Sequence, residues 1–479
     1  MDTESYIDNY LAPVSLSAED AEMPKAQIYK DISELRITPD EGTTGINNRT
    51  QFTFTNRNLD IVQMLHEAYI TYKLKIESTA SAAYVAAPDN AKYLAMVDEM
   101  DTLVAKCLPQ TAFWIDGYTF EINDTTIDTQ NSDLAKTLNV VNKGIYAKES
   151  RSVDYIGLAS NQDANRSPFA LQKSKVHTNE LELKIPLKHI IPYFKDNKIS
   201  WGTKTTIKLT KVPDMTAMFD GAPTGLALSF VDSSLELVVP YCKLENNKQL
   251  ALWNSMYSST NNRYWLGCDF FNSSPVDNTT SLTNITYRIA TKGLNSRPRW
   301  LLLSAVDPDS ASAAGKFTPL GFGTDSLQAT YDGQESTLRL TKIRTKINGI
   351  YIDGGDVMEF KCPAAGTGIE TQPYRSSSGD YYRAYENYLK FFGAYYSKRA
   401  SPVSFQEWLK SQIFCIDLVN IDSEQIFANS GNALIIEIEY SYNAGSVSAG
   451  KTFKFICNLL YDKMLSIQHS ENKAILNIG

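Results

Sequence analysis

At 479 residues the chain is too long for one ordinary β-sandwich and about right for two domains of roughly 200 residues each. Hydrophobic residues make up 43% and charged ones 21%, a balance that excludes wholesale disorder. The net charge is −8, and residues 1–24 carry Asp2, Glu4, Asp8, Glu19, Asp20 and Glu22 with no lysine or arginine. That excludes a protein whose main work is neutralising nucleic-acid phosphates.

Residues 1–45 read as a polar N-terminal arm with small apolar islands such as Tyr6-Ile7 and Ile28-Tyr29. Period-two patterning then begins. Phe52 and Phe54 alternate with Thr53 and Thr55, and Ile70, Tyr72, Leu74 and Ile76 alternate with polar residues, which predicts half-buried antiparallel strands. Phe113 to Phe120 reads as a hairpin turned at Asp116-Gly117. Asp133 to Val141 reads as a short helix. Leu181, Leu183, Ile185 and Leu187 alternate in a strand that Pro186 places at an edge or an end. Ile207 with Leu209, then Leu226 to Val239, complete the first set of strands, and residues 245–258 have the helical character of a connector.

The second half repeats the style. Ile285, Tyr287 and Ile289 alternate, and Trp300 to Val306 reads as a buried strand. Leu338 to Ile352 bends at Asn348-Gly349. Tyr381, Tyr385, Tyr388, Leu389 and Phe392 share one helical face, with Asp380 as the expected N-cap. Ser404 and Glu407 form a capping box after Pro402. Ile413–Leu418, Leu434–Tyr440 and Phe453–Cys457 close the body as strands, and residues 463–479 read as a C-terminal tail. Seven or eight strands per half is the arithmetic of two sandwiches or jelly rolls.

Chemistry-bearing motifs are missing. His66, His177, His189 and His469 are the only histidines, and none stands near a cysteine or another histidine at ligand spacing. The cysteines, Cys107, Cys242, Cys268, Cys362, Cys415 and Cys457, are scattered and suit small hydrophobes in strands. No nucleophile motif or phosphate loop appears; the Gly-rich stretch Gly321 to Ser326 lacks an amphipathic helix after it. Asp307-Pro308-Asp309 and Asp353-Gly354-Gly355-Asp356 offer carboxylates to calcium, but neither has the full loop spacing, and both read as turns. Glu437 and Glu439 share one face of a strand and are expected on a solvated sheet face or a subunit contact. No catalytic residue, cofactor site or metal site is therefore assigned, and no enzyme activity is expected. Sequons stand at Asn48, Asn123, Asn272, Asn278 and Asn284, but no apolar secretory segment is read at the start, and no run approaches the ~18 apolar residues of a membrane helix.

The ordered series Tyr381–Leu389, Pro402–Leu409, Ile413–Leu418, Gly431–Tyr440 and Phe453–Ile467 resembles the double jelly-roll major capsid proteins of the adenovirus-hexon, polinton and virophage lineage. Leu59–Ile70, Phe113–Ile122, Leu183–Leu187, Lys204–Leu209 and Ser233–Val239 fit the strands of that family's first barrel. The resemblance implies an all-β fold of two tandem jelly rolls, at 46–243 and 244–462, with a few short helices in loops. It implies a homotrimer of pseudo-hexagonal outline that tiles an icosahedral shell, meets neighbouring capsomers and minor or penton proteins, and resides in the virion after assembly inside the host cell; an internal membrane is a family possibility. Tight nucleic-acid binding is not expected. The alternative is a carbohydrate- or receptor-binding β-sandwich of lectin or fibre type. No internal repeat between the halves is read from the sequence.

Overall fold

The computed structural model describes residues 29–40, 49–55, 61–78, 115–130, 180–196, 199–200, 203–211, 226–244, 261–272, 276–277, 285–290, 298–306, 340–352, 358–359, 379–395, 408, 413–418, 435–442, 452–470 and 473–478. The helix expected at 133–141, the connector at 245–258, the capping box at 404–407, the Gly-rich stretch 321–326, both acidic loops and His177 lie outside these residues.

In the first half the strands are β1 (Tyr29–Ile37), β2 (Arg49–Thr55), β3 (Ile61–Met64), β4 (Tyr69–Ser78), β5 (Ile115–Ile122), β6 (Thr125–Gln130), β7 (Glu180–Pro186), β8 (Ile199–Ser200), β9 (Lys204–Lys211) and β10 (Leu226–Leu244). One sheet runs β1-β10-β4-β7, with β3 extending β4's edge of β10 and β8 beyond it; the other runs β2-β9-β5-β6. All pairs are antiparallel.

In the second half the strands are β11 (Asn261–Asn272), β12 (Val276–Asp277), β13 (Ile285–Ala290), β14 (Pro298–Val306), β15 (Leu340–Ile347), β16 (Ile350–Tyr351), β17 (Met358–Glu359), β18 (Phe414–Asp417), β19 (Ile435–Tyr442), β20 (Thr452–Ser470) and β21 (Lys473–Ile478). Its sheets run β11-β20-β14-β18 and β13-β19-β15-β16. If the strands β3, β8, β12, β17 and β21, which lie off the two four-stranded ladders of each half, are set aside, each half has eight strands among the described residues. In chain order, one sheet of each half reads first-eighth-third-sixth and the other second-seventh-fourth-fifth. Two sheets joined in that order are a jelly roll.

Alternation fixes which face is core. In the first roll Phe52, Phe54, Phe120, Ile122, Ile207 and Leu209 turn inward from one sheet, and Ile70, Tyr72 and Leu237 from the other. In the second roll Trp300, Leu301, Leu302 and Leu303 are all buried in succession, so both faces of that sheet are covered. The helix α1 (Tyr193–Asp196) follows β7, and α2 (Gly379–Tyr395) precedes β18. Phe391 of α2 meets Trp300 edge-on at 5.3 Å. The buried stripe of α2 is Ala384, Tyr388, Phe391 and Phe392, so Leu389 lies only half-buried beside it. The helix begins at Gly379, which places Asp380 in its first turn and not at the cap.

Three further sequence expectations change. Asp116-Gly117 is not a turn: β5 runs through it with a bulge against β9, and the turn comes at Asn123-Asp124, both at positive φ (48° and 63°). A two-residue hairpin needs that left-handed pair, and asparagine tolerates it as glycine does. Second, residues 29–37, expected in the arm, form β1 on the edge of β10. Third, β20 runs past residue 462, and β21 folds back on it with Ser470 opposite Lys473. The expected tail is thus largely strand. β11, which pairs with β20 over its whole length, carried no alternating signal strong enough to be read.

Candidate assembly interface

The two halves repeat more than a strand order. Asn123 closes the β5–β6 turn, and its N–H donates to the Lys204 carbonyl (2.8 Å) while its Oδ1 accepts from the Lys204 N–H (2.9 Å). Asn348 closes the β15–β16 turn at φ 50°, and it makes the same two bonds to Ile435, at 2.7 and 2.9 Å. Each turn is thereby clamped to the start of the strand beside it, β9 or β19. Asn123 is also a sequon residue, and its side chain is committed to the clamp.

Counted from these clamps, Glu121 stands where Lys346 does, and Lys208 where Glu439 does. The two pairs form equivalent ion pairs of opposite polarity: Lys208 Nζ to Glu121 Oε1 at 2.5 Å, and Lys346 to Glu439. Glu439 also accepts from the Tyr351 hydroxyl, and the Arg344 guanidinium lies 3.3 Å over the Tyr351 ring. The hydrogen bond from Lys346 holds the Glu439 carboxyl below its ordinary range, and the same bond raises Lys346. Glu437 pairs with Arg288 at 3.5 Å. Glu437 and Glu439 therefore sit on a charged outer sheet face.

The long strand that closes each roll pairs with that roll's first strand. Tyr241-Cys242-Lys243 of β10 pairs with Ser33, Ile32 and Asp31 of β1; Tyr461-Asp462-Lys463 of β20 pairs with Gly267, Leu266 and Trp265 of β11. In the second roll this strand end meets the first roll. Lys463 Nζ donates to Asp128 Oδ1 (2.7 Å), whose Oδ2 accepts from the Tyr118 hydroxyl (3.1 Å). Asp128 is 4% exposed, so leaving it buried without these partners would be costly. A Cβ on Gly267 would lie 2.6 Å from Lys463 Cε, so glycine there lets the lysine stem cross its neighbour strand. Beside the ion pair, Phe120 packs on Tyr193 of α1 (4.8 Å), and Tyr193 meets Trp265 edge-on (5.2 Å). The seam between the rolls is thus a desolvated ion pair flanked by an aromatic row.

Among the described residues, the others singled out in the sequence do not converge. His66 is buried beside Glu67, 3.6 Å away. Cys242, Cys415 and Cys457 are free and buried; burial pushes the Cys242 thiol up to about 12 and raises the other two. Among the described residues no group of three or more His, Cys, Asp or Glu could hold a metal ion, and no helix is long and apolar enough to cross a membrane.

No protein-family model matches the chain, and no curated protein matches it by sequence. Solved structures do match. A chain of the Sputnik virophage, solved by cryo-EM, aligns with a TM-score of 0.52 at 11% identity, over 95% of this chain and 90% of that one. A chain of the PBCV-1 virus capsid aligns at 0.50 and 11% identity, over 96% and 99%. The mavirus major capsid protein aligns at 0.50 and 9% identity, over 96% and 93%. The fold is that of the double jelly-roll major capsid proteins. A double jelly roll built from two such diverged halves hides its repeat in single side chains. The Ile-Asn turns at 122–123 and 347–348 were visible in the sequence, but only the register of the strands identifies them as equivalent. Asp128, Tyr193, Trp265 and Lys463 were not picked out from the sequence, because each gains its role from a partner distant in the chain.

Proposed function

We propose that the chain is a major capsid protein, a structural and non-enzymatic subunit of an icosahedral viral shell, with the first roll spanning 29–244 and the second 261–478. The single observation that carries the reading is the doubled jelly roll, two copies of one eight-strand topology packed through a desolvated seam. A chain with two equivalent rolls supplies two of the six corners of a hexagonal tile, and three chains complete it. The capsid chains with the same fold support this assignment, and so does the net charge of −8, which suits a protein that does not grip nucleic acid. The partners are two further copies within the capsomer, then neighbouring capsomers and minor shell proteins.

Light scattering and electron microscopy of the purified chain test the proposal. A homotrimer with a six-cornered outline, and shell-like particles at high concentration, is the expected result. A stable folded monomer at micromolar concentration with no larger species would overturn it.

A further inference from the structure

The two turn clamps are alike in their hydrogen bonds and differ in the residue that follows the asparagine. After Asn123 comes Asp124, whose carboxylate pairs with Lys204 at 2.7 Å. After Asn348 comes Gly349, and this is the one Asn-Gly step in the 479 residues. The difference is chemical. The main-chain nitrogen that follows an asparagine can attack that asparagine's own side-chain amide, and a β-carbon on the attacking residue obstructs the approach. Gly349 has no β-carbon. It is exposed at φ 84°, and a Cβ built on it would meet no described atom within 4 Å, so water and hydroxide reach its nitrogen from the open side.

Attack joins the Gly349 nitrogen to Asn348 Cγ and breaks the Cγ–Nδ2 bond. Ammonia leaves with the proton that the Gly349 nitrogen gave up, and a cyclic imide remains. Water then opens the imide at either carbonyl. Opening at Cγ leaves aspartate at position 348. Opening at the main-chain carbon leaves isoaspartate, with the chain routed through the side chain and longer by a methylene. Ring closure needs the Asn348 amide carbon over the Gly349 nitrogen, and in the folded chain that amide is committed elsewhere. Its Oδ1 accepts from the Ile435 N–H at 2.9 Å, while the Asn348 N–H donates to the Ile435 carbonyl at 2.7 Å and the residue is held at φ 50°. The side chain cannot swing over Gly349 without letting go of β19. Isoaspartate, once formed, cannot restore both bonds in register.

We propose that Asn348 is a site of spontaneous deamidation gated by the β15–β16 hairpin. The bonds to Ile435 suppress imide formation while the turn is closed against β19, and each opening of the turn exposes Asn348 to the reaction. The hairpin therefore carries an irreversible record of its own opening. The rate follows the open fraction, as for any reaction of a locally opened state that recloses quickly.

Mass mapping of Asn348 and Asn123 in one digest of the full chain, held at mildly alkaline pH, tests the gate; isoaspartate-specific methyl transfer is the second readout. In urea beyond the unfolding transition Asn348 should convert while Asn123, followed by Asp124, lags. In the folded chain Asn348 should convert about tenfold more slowly or less, the factor that two net hydrogen bonds make in an opening equilibrium. Ile435→Pro removes the N–H that holds Oδ1, at the first residue of β19, where a strand tolerates proline. Once shown to melt as a folded chain, it should convert at Asn348 about fivefold faster than the folded parent, the factor of one net hydrogen bond. Asp124→Gly installs the reactive pair in the other clamp, whose bonds to Lys204 remain, so Asn123 should become reactive in urea and stay slow when folded. If Ile435→Pro does not fold, the parent and Asp124→Gly decide between them. A folded parent that converts as fast as the unfolded chain, a folded Ile435→Pro at the parental rate, or a folded Asp124→Gly whose Asn123 converts as fast as in urea would overturn the inference.

Discussion

Replacing Asp128 by alanine tests the seam where its energetics are most concentrated. The carboxylate accepts from Lys463 Nζ at 2.7 Å, from the Tyr118 hydroxyl at 3.1 Å and from the Thr129 N–H at 3.1 Å. Truncation leaves a buried hydroxyl and an ammonium without their acceptor. Breaking a buried ion pair from one side costs about 3–5 kcal/mol. Lys463 keeps some access to water, which relieves part of that cost, so a loss of about 3 kcal/mol is expected. The control is Asp462→Ala on the same strand. It removes the 2.9 Å pair with Arg299, in which both side chains are about half exposed, and should cost less than about 1 kcal/mol. Urea unfolding followed by tryptophan fluorescence reports both, since Trp265 lies in the seam. A double-mutant cycle of Asp128→Ala with Lys463→Met should return a coupling above about 1 kcal/mol. If Asp128→Ala costs no more than Asp462→Ala, the seam is not held by its ion pair, and the argument is wrong.

Three further expectations follow from single sites. Asn348→Ala loses its side-chain bond to Ile435 and puts alanine, which tolerates the left-handed region less well than asparagine, at φ 50°, so it should destabilise by about 2 kcal/mol, whereas Asn348→Gly should cost about half that; equal losses would show that backbone strain plays no part. The lowered Glu439 carboxyl contributes stability above the ordinary carboxylate range and loses it as pH falls through its folded value, while the raised Lys346 contributes below the ordinary lysine value and loses it as pH rises through its own. Glu439→Gln should therefore flatten the acid limb of a urea stability profile, and parallel profiles would refute the linkage. Cys242, Cys415 and Cys457 are buried with raised thiol pKa values, so a thiol reagent at neutral pH should label at most three of the six cysteines before unfolding; a fourth reacting thiol in the folded chain would contradict their burial.

By itself the sequence determined the strand faces and the fold class. Phe52 and Phe54, Ile70 and Tyr72, and Ile207 and Leu209 turn inward as their alternation requires, because the two-residue period of a strand is local and needs no partner to be read. The Asn348-Gly349 bend and the α2 helix were legible for the same reason. The Asp116-Gly117 turn was misread because a dipeptide that favours a turn also favours a bulge, and the choice lies with β9, far along the chain. Only the tertiary structure decided that residues 29–37 belong to the body, since β1 has no core of its own and is ordered by pairing with β10. It also decided that Asp128 and Lys463, 335 residues apart, form one contact. A lone aspartate or lysine looks alike whether solvated or buried. The difference lies in desolvation and in the partner's position, both of which exist only once the two rolls have packed.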